Sequence, residues 1–173
     1  RLPENLDRPP IQPMLTTALA ECLLDYLPVE VRLPGAVEWV LRYTPKAHGV
    51  SLSTMFRNLA ECEKTVVFIQ DTEDFIFGGF APATWEPSHK FYGSGESFVF
   101  SYGKVEAGAE IPEVKYYPCT FKNECFMYAD HLLFGMGGGD GRHAFVMRED
   151  LLHGHSSPTA TFKNAQLSAQ DEF

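Results

Sequence analysis

A glutamate set among glycines and serines, six histidines and four cysteines are the residues through which this 173-residue sequence could do chemistry. The glutamate is Glu96, in the stretch Gly93-Ser94-Gly95-Glu96-Ser97. Partly desolvated, its carboxyl would serve as a general acid or base, with His48 as the partner. The structural alternative is a turn in which the carboxylate accepts backbone N–H bonds. A nucleophile elbow is excluded, because that motif needs G-x-S-x-G at a strand-to-helix turn and here G-S-G-E-S leads into a strand. Cys22 falls on an apolar helical stripe and reads as a small hydrophobe. Cys119, directly after Pro118, reads as the exposed thiol and the candidate for reaction with peroxide. A cysteine–histidine pair stays open as well, since such partners meet in space rather than in sequence.

The histidines are His48, His89, His131, His143, His153 and His155. His153 and His155 would share one side of a strand, which suits metal ligation, but spacing supplies no third ligand. No metal and no cofactor are implied. The glycine-rich stretch Gly135-Met136-Gly137-Gly138-Gly139-Asp140-Gly141 lacks the G-x-x-x-x-G-K-[ST] pattern, and Asp140 occupies the sixth place of a G-x-G-x-x-G. Residues 143–147, immediately after it, read as a strand rather than the helix a phosphate loop opens. A tight turn with positive φ angles between strands is the better account. Loops present side chains while a scaffold holds them, so the candidate binding residues are Trp85, in a proline-bounded loop, and Asp140, Arg142 and His143 around the glycine turn. Trp85 also fits a ring folded back over a sheet edge.

The elements that must position these residues are short. Fourteen phenylalanines, with tyrosines and β-branched neighbours, favour half-buried pleated surfaces. A chain this long buries about 70% of its unfolded surface as one domain without covalent staples. Four prolines in residues 1–13 make an extended N-terminal arm. Leu15, Ala18, Leu19, Cys22, Leu23, Tyr26 and Leu27 form a helical stripe ended by Pro28, so residues 14–36 read as a helix and connector. Val37, Trp39, Leu41 and Tyr43 alternate as a strand does. Ser51 caps a helix from Leu52 to about Leu59. Residues 65–70 and 75–81 make a hairpin over the turn Asp71-Thr72-Glu73-Asp74. Further strands are expected at 97–102, 114–117, 124–128, 132–134, 143–147 and 159–162, with a loop at 103–112. The sum is an α+β, mainly β protein: a two-sheet antiparallel β-sandwich with short flanking helices.

Charge narrows the partners. A net charge of -9 and a pI near 5.1 argue against nucleic acid, which demands a basic stripe, and against an anionic membrane surface. The acidic segments 61–63 and 71–74 read as solvated turns, or as steering charge for a basic protein partner. No run of about 18 apolar residues, glycosylation sequon, signal peptide or C-x-x-C pair is present, which sets a cytoplasmic default and no direct membrane insertion. The start at Arg1 rather than Met points to a piece of something longer.

Several stretches, in order, resemble the TLDc domain family over residues 37–173. Residues 43–52, Tyr-Thr-Pro-Lys-Ala-His-Gly-Val-Ser-Leu, resemble its early signature, where a strand ends, His-Gly turns the chain and Ser-Leu opens a helix. Phe77-Gly78-Gly79-Phe80 is similar to its FGxF strand, residues 91–100 to its FYGTGExFLF segment, and 137–141 to its GGGxG turn. Residues 152–157, then Thr161-Phe162-Lys163-Asn164 and Leu167-Ser168, resemble its closing segment. Trp85 and the LSAQ at 167–170 look nearest the branch that includes an mTOR-associated lysosomal protein. The resemblance implies a β-sandwich binding module and a role in resistance to oxidative stress. It also implies binding to subunits of the vacuolar-type proton ATPase, with recruitment from cytoplasm to lysosomal or vacuolar membranes. Family members continue into one more strand, so a missing final strand and an open sheet edge are expected. The alternatives are an enzyme built on Glu96 and His48 or on Cys119, and a general scaffold module.

Overall fold

The backbone pairs into two four-stranded antiparallel sheets, each a meander of neighbouring strands. The computed structural model describes residues 14–33, 37–104, 108, 110 and 112–173. The expected arm at 1–13 lies outside them, as do parts of the connector and of the 103–112 loop. The first sheet runs β1 (Thr65–Gln70), β2 (Ile76–Ala81), β3 (Phe98–Gly103) and β4 (Lys115–Pro118). The second runs β5 (Met127–Ala129), β6 (Leu133–Met136), β7 (Phe145–Arg148) and β8 (Gly154–His155). Four short helices accompany them: α1 (Thr17–Leu24), α2 (Val29–Arg32), α3 (Pro45–His48) and α4 (Leu52–Leu59).

Period-two alternation on β2 and β3 explains the layering. Phe77, Ala81 and Val99 face the second sheet and join Met127, Met136 and Phe145 in the core between the layers. Their neighbours Ile76, Phe80, Phe98, Phe100 and Tyr102 face the other way, into a second core closed by Leu19 and Leu23 of α1 and by Leu27. The central strands are therefore apolar on both faces, as strands covered on both sides must be. At Gly78 the strands come so close that a Cβ would lie 1.8 Å from the Val67 carbonyl oxygen.

Caps and turns follow local chemistry. Thr16 Oγ1 accepts from the Leu19 N–H at 3.2 Å, and Ser51 Oγ from that of Thr54 at 3.2 Å, each satisfying an orphan donor at a helix start. From that cap Leu52, Met55 and Leu59 descend one face of α4 into the inter-sheet core. Asp71 Oδ1 accepts the N–H groups of Glu73 and Phe75, both at 2.9 Å, and closes the β1–β2 hairpin. Its Oδ2 accepts from Ala169 N at 2.8 Å, tying the C-terminal segment to the first sheet.

Two expected strands are corrected. Residues 37–44 form no regular secondary structure and join no ladder. Val37 and Trp39 pack on the α1-side core, Leu41 is 68% exposed, and Tyr43 packs on the inter-sheet core. The segment touches both cores without pairing with a strand of either sheet. Residues 159–162 form a turn, because Asn164 Oδ1 accepts from both Thr159 N (3.2 Å) and Thr159 Oγ1 (2.7 Å). The strand in this region is β8. Its outer edge, where a missing last strand would leave open groups, is paired by residues 171–173: Gly154 and Phe173 exchange N–H···O bonds of 2.9 and 3.1 Å. Phe173 also packs edge-on against Phe77, centroids 5.0 Å apart.

Candidate functional site

The glycine turn between β6 and β7 is a hydrogen-bonded rim. Gly137 has φ +77, and Gly138 N donates to the buried Thr161 Oγ1 at 3.0 Å. Arg142 N closes the tip by donating to Gly139 O at 3.1 Å. Asp140, at φ +54, and Arg142 stand exposed on that tip. His143 is half-buried beside them, and its Nδ1 lies 3.0 Å from Gly137 O, so the tautomer with hydrogen on Nδ1 donates there. Its ring sits among Phe91 (6.1 Å), Tyr128 (6.5 Å) and His155 (6.0 Å). Burial pushes its pKa below the ordinary histidine value, the Gly137 carbonyl opposes this, and the charge of His155 adds to the lowering.

Trp85 does not share that rim. Only 1% of it is exposed, so it is no contact residue in this fold. Its ring meets Phe134 edge-on at 5.3 Å and Nε1 donates to Thr65 Oγ1 at 3.1 Å. The loop returns the indole to the inter-sheet core because both of its needs, apolar packing and one acceptor, are met there.

The residues of the catalytic alternative are scattered. His48, on α3, stacks on Tyr43 at 5.6 Å, and its Nδ1 accepts from Thr44 N at 3.0 Å. Glu96 interacts instead with Glu30 and Lys64. The two do not form an acid–base pair. Cys119 is buried rather than exposed, and its Sγ accepts from Phe121 N at 3.2 Å. Its side chain follows β4 inward, on the same face as Tyr117 and Val99 of the inter-sheet core. His153 pairs with Asp150 at 2.7 Å, away from the His143–His155 contact. Asp150 is pulled down to about 2 by the Leu152 N–H, the His153 ring and the His153 N–H. Among the described residues, no three His, Cys, Asp or Glu side chains gather as a metal site.

Sequence reasoning missed Glu30, Lys64, Tyr26 and Tyr116 as neighbours of Glu96. Only the sheet register and the path of α2 bring them together, and no motif spans them. A cleft of about 350 Å³ is lined by Tyr26, Glu30, Glu96, Ser97 and Tyr116 among others. A second, of about 500 Å³, is lined by Val50, Phe56, His131, Glu149 and Asp150 among others.

A two-layer antiparallel sandwich with short capping helices and glycine-shaped rims defines a class of rigid β modules that present loops. A family model of the TLDc domain matches residues 12–173, and the chain belongs to that family. It is 33% identical to nuclear receptor coactivator 7 of Homo sapiens over 146 residues, covering 82% of this chain and 15% of that protein. Oxidation resistance protein 1 of Bos taurus is 35% identical over 136 residues, 78% of this chain and 15% of that one. The Xenopus tropicalis protein of the same name is 32% identical over 163 residues, 92% and 17%. The chain thus spans less than a fifth of the length of these relatives.

Proposed function

We propose that this chain is a non-enzymatic protein-interaction domain that contributes to resistance against oxidative stress by docking on the vacuolar-type proton ATPase. The observation that carries the interaction reading is the glycine rim: exposed Asp140 and Arg142 on a turn whose backbone is fixed by Thr161 and Gly139. A preorganised loop loses little conformational entropy on binding. The name oxidation resistance protein 1, carried by relatives, supports the stress link. The pump rests on the resemblance of the sequence motifs to the family, and a net charge of -9 suits a basic stalk. The separation of Glu96 from His48 and the burial of Cys119 support the non-enzymatic reading. No helix among the described residues is long and apolar enough to cross a membrane. The domain works from the cytoplasm, reaching lysosomal or vacuolar membranes through its partner.

The test is capture of pump subunits from cytosol on immobilised domain, comparing wild type with Asp140→Asn, which tolerates the positive φ of this position, and Arg142→Ala. Both variants keep the wild-type melting temperature, and each lowers the captured pump several-fold. Undiminished capture by both removes the glycine rim from the interface.

A further inference from the structure

The second sheet has an end away from the glycine rim, and there the inter-sheet core opens into the cleft of about 500 Å³. That volume is in the range of pockets that take up organic groups, roughly 300–1,000 Å³. β6 and β7 run antiparallel between the two ends, and their four residues each set the ends about 13 Å apart. Phe134, Met136, Phe145 and Met147 face the inter-sheet core. The same alternation, carried one step past the strands, puts Leu132 and Glu149 on that side. Leu133 pairs with Arg148, so Leu132 and Glu149 are neighbours, while Arg148 is out of step and points away. Arg148 N donates to His153 O at 2.9 Å, which sets Leu152 across the turn from Glu149. Facing them is the start of α4, with Val50, Ser53 and Phe56.

The lip of this cleft is apolar. Val50 lines it at 54% exposure, and Leu132 (63%) and Leu152 (70%) adjoin its lining residues His131 and Asp150. Three of the eight exposed large apolar side chains among the described residues therefore gather at one opening. Phe56, half-buried against the inter-sheet core, continues the apolar surface inward. Clustered exposed apolar groups with a polar border mark interaction surfaces. The border is acidic: Glu149 and Asp150 line the cleft, and none of its lining residues is lysine or arginine. Asp150 is ionised and already bonded to Leu152 N and to His153. Among the described residues no ion pair engages the Glu149 carboxylate. The start of α4 offsets only about half a unit charge.

We infer that this mouth of the inter-sheet core is a second docking surface, and that it receives a segment of a partner protein in which a leucine-like side chain stands beside a lysine or arginine. The apolar side chain enters the cleft over Phe56 and is covered by Val50, Leu132 and Leu152. The neighbouring cation faces Glu149. Charge complementarity selects the partner, because an uncharged or acidic segment would bury the same apolar lip and leave the carboxylates without a counter-charge. The inference rests on the reading of the chain as an interaction domain, and adds a surface at the opposite end of the sheet from the glycine rim.

The test is titration of the isotope-labelled chain, followed by amide chemical shifts, with the peptides Ac-Lys-Leu-Leu-Lys-NH2, Ac-Glu-Leu-Leu-Glu-NH2 and Ac-Lys-Ser-Ser-Lys-NH2. The first is expected to move Val50, Ser53, Leu132, Glu149 and Leu152, and the other two to leave them in place. Leu132→Ser weakens the first peptide roughly fivefold, as loss of one covering side chain does. Glu149→Gln weakens it about threefold, the scale of an exposed ion pair. Both positions are on the surface, so both variants melt as wild type does. No movement at millimolar peptide, shifts spread over the whole acidic surface, or an affinity untouched by both variants would overturn the site. Equal binding of the serine peptide would overturn its apolar part, and equal binding of the glutamate peptide its choice of charge. The same shifts appearing as the chain alone is concentrated would assign the cleft to a second copy and overturn the partner. No pump subunit enters this titration, so its failure leaves the capture result standing, and the reverse holds too.

Discussion

Trp85 is held by two partners from different elements, Phe134 on β6 and Thr65 at the start of β1. Its ring joins the two sheets where the sandwich would otherwise be hollow, so Trp85→Ala should cost about 3–5 kcal/mol, the range for an emptied aromatic site. Denaturant unfolding measures this directly, and a loss below about 1 kcal/mol would place the ring outside the core. The sequence shows an aromatic in a proline-bounded loop, and nothing in residues 82–90 says that an acceptor waits at position 65. The same blindness affects Cys119: Pro118 marks the end of a strand, but only the sheet opposite decides whether the next side chain is covered. Glu96 was legible as a residue with chemistry. Its companions Glu30 and Lys64 were not, because they arrive from 66 and 32 residues upstream.

At the scale of elements, closeness of strands is enforced by missing side chains. A Cβ on Gly78 would overlap the Val67 carbonyl, which belongs to the β1–β2 ladder itself, so Gly78→Ala must part the strands. Its loss should reach roughly 3 kcal/mol or more, the upper end for an overfilled core. By comparison Ser51→Ala removes one cap bond from α4 and should cost about 0.5–2 kcal/mol. Thermal and denaturant unfolding of the two variants side by side checks the contrast; equal losses would mean that β1 gives way freely at Val67. Local signals made these elements readable. The Ser51 cap, the Asp71 turn and the alternation of Phe98 and Phe100 each announce their structure within a few residues. The run at 37–43 shows the limit, since alternation fixes faces but cannot show whether a neighbouring strand is there to pair. Residues 159–162 have strand-forming side chains, yet Asn164 folds them into a turn. β8, at two residues, is too short to leave a pattern.

The whole molecule is an acidic, two-layer body whose first sheet is roofed by α1 and whose second carries the glycine rim. Its two rims differ in kind. The glycine rim offers one charge of each sign on a fixed turn, and the opposite rim offers Glu149 and Asp150 beside the exposed Leu132 and Leu152. A body of this kind gains association rate from its charge and specificity from its rims, and both gains weaken as salt rises. The family resemblance supplied the architecture in advance because its motifs lie on the central strands β2 and β3 and on the turns and helix start around them. The binding surfaces are assembled from distant residues, and the structure was needed to find them. The most direct test of the docking claim is binding of the purified domain to the purified catalytic sector and stalk of the vacuolar-type proton ATPase, followed by interferometry at increasing salt. The expected result is saturable binding at micromolar concentration or tighter, weakening as salt rises, and reduced by Arg142→Ala in a domain that melts as wild type does. A folded domain with no saturable binding at low salt would contradict it.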